Sequence, residues 1–342
     1  MTVPTLPRRR LGRTGLEVTA LGFGSAPLGD IYEVLDDATA IAAVEMAAAS
    51  GVTLFDTAPL YGQGSAEHRI GTALRRRPPG SFVLSTKVGR LLTPAPKGRK
   101  RTSRYVGGLE FDVTNDYSYD AAMRSHEQSL HRLGLPKVDV VLIHDADAWT
   151  HGPDEGPKRS REALEGADRA LERLRGEGVI TGIGIGVNDP TYAARYLRDG
   201  DFDCLLLAGR YSLLEQPALA KVLPIAAQKN VGVMLGGVFN SGILATGPID
   251  GARYNYTPAP PDILEKVRRI ESVCASHGVP LPTAALHFCL GHAAVSSLVL
   301  GAVRPEEVQR NVAALATPVP PALWADLKAE RLLDVAAPVP AQ

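Results

Sequence analysis

The 342-residue chain predicts a single (β/α)8 barrel, a TIM-barrel α/β fold with an N-terminal hairpin and long loops at its C-terminal mouth. Three observations carry this expectation. Short β-branched runs alternate with amphipathic helical patterns from one end of the chain to the other, as a parallel sheet covered by helices requires. No shift in composition divides the chain into two domains. No G-x-G-x-x-G run opens a helix, although an open doubly wound sheet, which shows the same alternation, would place one after its first strand. The nearest glycine cluster, Gly182, Gly184 and Gly186, alternates inside an apolar run. That pattern marks a strand closely approached by another backbone or a ligand.

Taken in order, the strand candidates are residues 18–22, 53–56, 82–87, 138–144, 180–187, 204–207, 231–235 and 297–300. Helical patterns cover residues 36–50, 118–133, 160–175 and 262–277. In the last of these, Ile263, Val267, Ile270 and Cys274 recur at helical spacing, Asp262 and Glu265 form a potential capping pair, and Gly278 supplies a stop. Gly51, Gly134 and Gly176 stand just past three other helical segments. Two stretches read as long loops of the kind that often bind ligands: 89–116, with the basic run Lys97, Arg99, Lys100, Arg101 and Arg104, and 238–261. The basic run reads as a solvated loop before it reads as an anion site. The barrel is expected over residues 8–316, with 317–342 as a proline-rich C-terminal helix or tail, loosely attached.

Composition narrows the function classes. Basic and acidic residues balance at 37 each, so no global field recruits nucleic acid or an anionic membrane. Three cysteines, Cys204, Cys274 and Cys289, lack the paired short spacings of a disulfide framework or a cysteine metal site. With no apolar segment after Met1–Arg10 that resembles a leader, and no apolar run near the roughly 18 residues of a membrane span, a cytoplasmic protein is expected. His287 and His292, like His126 and His131, are five apart, off the spacing that pairs ligands on one helix face, so no metal is expected.

Three consecutive strand candidates end on a polar residue: Asp56 in TLFDTAPLYG, Lys87 in FVLSTKVG and His144 in VVLIHDAD. Barrel enzymes place their catalytic groups at such ends, so adjacent strands can aim these side chains at one point, with Tyr61 on the loop after Asp56 folding back over them. A tyrosine titrates near pH 10, and a neighbouring lysine cation favours its phenolate. Asp56 would hold Lys87, and a neutral His144 would place the oxygen of a carbonyl or alcohol. Such a relay around a C–O bond suits hydride transfer to or from a nicotinamide.

With these residues in view, the sequence resembles the aldo-keto reductase superfamily from LGRTGLEVTALGFG to LGAVRPEEVQRNV, and FDTAPLYGQGSAE looks like its signature. The resemblance implies a barrel with an extended cofactor across its mouth and Tyr61 as general acid or base. It implies that Asn188 holds the nicotinamide carboxamide, with Val187 where a serine is usual, and that Tyr211 stacks beneath the ring. By the same resemblance Gly236, Gly237, Asn240, Ser241 and Gly242 meet the pyrophosphate, and Gly301, Arg304, Glu307 and Asn311 meet the adenosine end. Glu307 stands where an arginine often grips a 2′-phosphate, and a carboxylate there suits a ribose diol. NAD is therefore the expected cofactor, with NADP possible through Arg304.

Within the superfamily, DYSYDAAMRSHEQSLHRLGL, VDVVLIHDADAWTHG and LLLAGRYSLLEQ look most like bacterial aldose 1-dehydrogenases of the D-threo-aldose or L-fucose type, with pyridoxal 4-dehydrogenase as a near neighbour. The implied reaction is oxidation of a cyclic hemiacetal to a lactone, the substrate an aldose such as L-fucose, D-arabinose or L-galactose, or pyridoxal. Asp145, Asp147, Trp149 and Tyr105 are the expected substrate contacts. A general carbonyl reductase, a nicotinamide-binding regulatory barrel without turnover, and an isomerase or aldolase on the same fold remain alternatives.

Overall fold

Eight short apolar segments pair in parallel and close on themselves, in the chain order expected of a (β/α)8 barrel. The computed structural model describes residues 5–96 and 104–340; Lys97, Arg99, Lys100 and Arg101 lie outside the described residues. The barrel strands are β1 (Leu21–Gly24), β2 (Leu54–Asp56), β3 (Val83–Val88), β4 (Val140–His144), β5 (Gly182–Val187), β6 (Cys204–Ala208), β7 (Gly232–Gly236) and β8 (Val295–Gly301). Seven of the eight strand candidates overlie β2 to β8, and the first, 18–22, spans the end of the N-terminal hairpin and the start of β1.

Both faces of these strands are buried, which is why they read as continuous apolar runs. Their inward side chains, Leu54, Val83, Val140, Leu142, Cys204, Leu206, Met234 and Val299, form one cluster that Leu11 and Val18 complete from below. Those two belong to the N-terminal hairpin, Arg8–Arg10 paired with Glu17–Thr19, which stoppers the barrel. At its tip Gly12 has a φ of +54°, and a Cβ there would stand 2.2 Å from the Asp203 carbonyl oxygen. The alternating glycines of β5 serve the same filling problem: a Cβ on Gly184 would meet the Cys204 carbonyl oxygen at 2.4 Å, whereas Gly186 leaves ordinary contact room for the Lys87 stem at 3.5 Å.

Helices Asp37–Ala49 and Tyr119–Leu133 start where expected, on Asp36 and Ser118, whose side chains accept from the N–H of Thr39 and Ala121. The third helical segment differs. It begins at Ala148, capped by Asp147, runs to Glu162, passes through a π turn at Ala163–Ala167 and continues as Asp168–Gly176. Gly152, Pro153 and Pro157 hide its first half from periodicity. Gly176 is its last residue rather than its stop; Gly178, at φ +73°, reverses the chain. Helix Pro261–Ser276 starts on an extended Pro260, so Asp262 is not its cap, and Glu265 pairs with Arg268 instead.

Both expected loops carry structure of their own. Within 89–116, Arg90–Pro94 pairs antiparallel with Phe111–Asn115. Within 238–261, a tight turn at Asn240–Gly242 leads into Ile243–Thr246 and then a ribbon of Arg253–Tyr254 with Thr257–Pro258. The tail is not loosely attached: helix Pro321–Ala329 buries Leu323, Trp324 and Leu327, with the Trp324 ring 6.3 Å from Phe288. Among the described residues no helix is long and apolar enough to cross a membrane.

Candidate active site

The parallel register brings the polar strand ends to one level. Asp56 pairs with Gly24 on one side and Ser85 on the other, Lys87 with Leu142, and His144 with Gly186. Ser85 and Lys87, two residues apart on β3, share a face and both reach Asp56. Oδ2 of Asp56 accepts from Lys87 Nζ at 2.7 Å and Oδ1 from Ser85 Oγ at 2.6 Å, while the Thr57 carbonyl accepts a second Nζ proton at 2.9 Å. The ion pair is buried, with side-chain exposures of 1% and 3%. With its charge matched and two of its three protons bonded, Lys87 can remain in place at this depth.

Tyr61 enters from the loop after β2. The turn Tyr61–Gly64 presses on the turn Ala26–Gly29, where a Cβ on Gly29 would stand 2.4 Å from the Gly62 nitrogen. Only glycines allow that approach, and it fixes where the tyrosine ring can lie. The Lys87 ammonium is 4.8 Å from the ring centroid, and His144 meets the ring edge-on at 5.7 Å. The four residues singled out in the sequence therefore form one cluster.

Electrostatics correct one expectation. Burial pushes the Tyr61 phenol well above its usual range, and Asp56, Asp145 and Tyr256 add to the effect, with Arg90 opposing it. The net push is upward although the Lys87 ammonium stands 4.8 Å from the ring centroid, because burial disfavours the phenolate and the acids around it add to that. Burial likewise pushes His144 well below the usual imidazole range, helped by the cations Arg90, Lys87 and Arg104. His144 is therefore neutral at pH 7. Beside it, Asp145 holds a φ of +49° and bonds Arg90 at 2.6 Å, with its carboxylate 3.4 Å from His144 Nε2.

A cavity of about 830 Å³ runs from this cluster across the barrel mouth. Its wall includes Asp56 and Tyr61 at one end and Glu307 and Asn311 at the other, with Asn188, Gly236, Gly237, Asn240, Ser241, Gly242 and Gly301 between. Trp149, half-exposed, also lines it. Tyr105 stands behind Tyr61, ring centroids 6.3 Å apart.

Five expected cofactor or substrate positions, Tyr105, Asp145, Asp147, Tyr211 and Arg304, are absent from the cavity wall. Tyr211 is buried in the core, 5.1 Å from Phe288 and 5.9 Å from His292 between ring centroids, and is absent from the cavity wall. Its side chain turns toward helix Leu281–Leu290, so bare glycine backbone and Leu206 border the cavity instead. Arg304 turns outward to Glu33 at 3.0 Å. Asp147 caps its helix by accepting from the Thr150 N–H at 2.9 Å, which commits it to structure.

Four other residues escaped sequence reading. Arg210 donates from Nε to the Asn188 carbonyl at 2.7 Å, stacks its guanidinium 4.6 Å from the Trp149 ring centroid, and pairs with Glu215. It thus holds Asn188 and Trp149 at once. Tyr117 donates to the His144 carbonyl at 2.8 Å and so fixes the end of β4. Arg310, one residue from Asn311, lines the far end of the cavity, and Tyr256 lines the mouth. Arg310 had a signal, since it precedes a residue already singled out; the other three are joined to the site only by the folded loops.

The elongated glycine-walled groove fits an extended dinucleotide. Gly237 and Gly242 take φ of +60° and +104°, which leaves backbone uncovered where a pyrophosphate would lie, and Asn240 Oδ1 is buried without a partner. The aldo/keto reductase family model matches residues 20–330. The chain belongs to this family. As an aldo-keto reductase it is an oxidoreductase that uses a nicotinamide cofactor. It is 41% identical to pyridoxal 4-dehydrogenase of Microbacterium luteolum over 96% of this chain and 98% of that one. It is 39% identical to D-threo-aldose 1-dehydrogenase of a Pseudomonas species over 93% of this chain and 96% of the relative. The holo structure of an aldo-keto reductase from Bacillus halodurans superposes with a TM-score of 0.75 at 25% identity, covering 97% of this chain and 98% of the other.

Proposed function

We propose that this aldo-keto reductase oxidises the anomeric carbon of a cyclic hemiacetal, that of an aldose of the L-fucose, D-arabinose or L-galactose type, to a lactone. The observation that carries the reading is the convergence of Asp56, Lys87, Tyr61 and neutral His144 in one cluster, of which Asp56 and Tyr61 line the cavity, with the Arg90–Asp145 pair beside them. A dinucleotide fits the rest of that cavity. The two relatives at 41% and 39% identity are named for pyridoxal and aldose oxidation, and both substrates can present a ring hemiacetal.

The steps follow from the side chains. Tyr61 takes the proton of the hemiacetal hydroxyl as the C–O bond becomes a carbonyl. His144, uncharged, donates to that oxygen and orients it. Lys87, held by Asp56 and the Thr57 carbonyl, supplies positive charge behind the Tyr61 ring when the phenol is ionised. Asp145 offers carboxylate oxygens to the other hydroxyls, Trp149 offers an aromatic face, and Tyr105 backs the Tyr61 ring. A nicotinamide held by Asn188 and the glycine-walled groove would supply the hydride acceptor, so that the hydrogen of the anomeric carbon could leave with its two electrons. The oxidised nicotinamide ring is cationic and also favours the phenolate.

NAD is the preferred acceptor in this reading. Glu307 lines the adenosine end of the cavity, where its charge opposes a 2′-phosphate and Oε1, 4.0 Å from Arg304, can accept from a ribose diol. Its other oxygen accepts from the Val303 N–H at 2.8 Å, which fixes the carboxylate. Arg304 divides its charge between Glu33 at 3.0 Å and Glu307 at 4.0 Å, and Arg310 lines the cavity at that end. The three cysteines are free and buried, in keeping with a reducing cytoplasm.

The test is nicotinamide reduction with L-fucose, D-arabinose, L-galactose and pyridoxal, with the lactone identified and NAD compared with NADP. At least one sugar is expected to give stoichiometric NADH and lactone, with kcat/KM for NAD at least about tenfold above NADP, the weight of one unpaired charge contact. Turnover of pyridoxal alone would move the assignment to the pyridine substrate. Absence of turnover with every compound, or a clear NADP preference, would overturn the corresponding part.

A further inference from the structure

The ribbon after the Asn240–Gly242 turn ends in a two-residue hairpin, Asn255–Tyr256, between Arg253–Tyr254 and Thr257–Pro258. Both tip residues have positive φ, +48° and +66°. Two-residue hairpins of this hand prefer Asn-Gly, because an L side chain at the second position crowds its own backbone. Asparagine is present first, as the turn favours. The second place holds a tyrosine, among the bulkiest side chains that could be put there. A non-glycine residue in such a conformation persists when its side chain has a task.

Tyr256, 43% exposed, borders the site. Tyr256 lines the cavity that Tyr61 and Trp149 also line, and the Arg104 guanidinium covers its ring at 4.6 Å from the centroid. Its mount is rigid: the Tyr256 N–H donates to Ser241 Oγ at 3.0 Å, Tyr254 Oη to Glu215 at 2.8 Å, and Arg210 reaches Asn255 Oδ1 at 3.4 Å. None of these bonds uses the Tyr256 side chain.

We propose that Tyr256 is a specificity-determining substrate contact, whose ring, held at the mouth by a strained hairpin tip, packs against the face of the cyclic hemiacetal. The inference rests on the function proposed above and deepens it. A flat aromatic face complements the C–H face of a sugar ring or the plane of a pyridine. Ser241 lines the stretch of cavity assigned to the pyrophosphate, so the hairpin tip registers the substrate roof to the cofactor groove.

Two variants test it, each measured for melting temperature and for steady-state kinetics with the best substrate of the panel. Tyr256→Gly relieves the turn and keeps the N–H to Ser241. It is expected to melt at or above the wild-type temperature, yet to raise the substrate KM about tenfold or more, with kcat changed less. Tyr256→Phe keeps the ring and is expected to restore KM to within about threefold of wild type. A glycine variant that melts lower with kcat and KM impaired together would make Tyr256 a structural residue and overturn the proposal. So would a glycine variant with wild-type KM, or a phenylalanine variant as impaired as glycine, which would deny the ring contact. Wild-type protein inactive on the whole panel would instead overturn the function on which this rests, an outcome visible before either variant is made.

Discussion

Tyr61 has a proton affinity raised by burial and by the acids around it. The sign of the pH effect follows. Oxidation needs the phenolate, which is scarce at neutral pH when the pKa stands above its usual value near 10. Carbonyl reduction needs the neutral phenol, which is abundant there. The kcat/KM for hemiacetal oxidation should therefore climb from about pH 7 to pH 10, and that for reduction should not rise over the same range. A pH series in both directions checks this; an oxidation profile flat above pH 7 would contradict it. The quartet was legible because Asp56, Lys87 and His144 interrupt apolar runs at strand ends and Tyr61 stands in the signature loop after Asp56. The sign of Tyr61's shift was not, because Lys87 promises a lowering, whereas the burial of the ring and the acids gathered round it, which raise the value, exist only in the folded site. Tyr211 misled for a related reason: spacing says that an aromatic follows β6, not which side of the backbone it faces.

At the scale of elements, strands were easier to read than loops. A barrel strand is buried on both faces, so its apolar run survives in sequence whatever its neighbours do. Helix Ala148–Glu162 was hidden because Pro153 and Pro157 obey rules for helix starts and kinks that a periodicity scan reads as loop. The ribbon bearing Tyr256 looked like a long loop because its two strands have two residues each and bury little. The π turn leads into helix Asp168–Gly176, where Asp168 is buried with Oδ1 unpartnered. Burial first, then Glu172 and Asp201, push its carboxyl up to about 7, against the opposing pull of Arg175. A carboxyl whose folded pKa is raised favours the fold most below its unfolded value of about 3.8 and loses that contribution as pH rises through about 7. Asp168→Asn, which cannot ionise, should therefore melt higher than wild type at pH 8 and show a smaller advantage, or none, at pH 5. Equal shifts at the two pH values would show that Asp168 does not ionise in this window.

For the whole molecule, closure of the barrel turns residues from β2, β3 and β4 into one group, while the returning loops after β6 and β7 supply the groove beside it. Arg210 links these halves by holding both Asn188 and Trp149. The hairpin stopper below and the helix Pro321–Ala329 alongside are remote from the quartet, consistent with structural parts. The tail looked loose in sequence because its prolines flank a helix instead of breaking one. In the proposed reaction these parts let Tyr61 exchange a proton with the hydroxyl oxygen while hydride leaves the carbon that bears it. The most direct measurement is the turnover of Tyr61→Phe set beside its affinity for NADH. The account predicts kcat lower by about two to four orders of magnitude, the usual worth of a positioned acid or base, with cofactor affinity retained. Turnover within a few fold of wild type would contradict it.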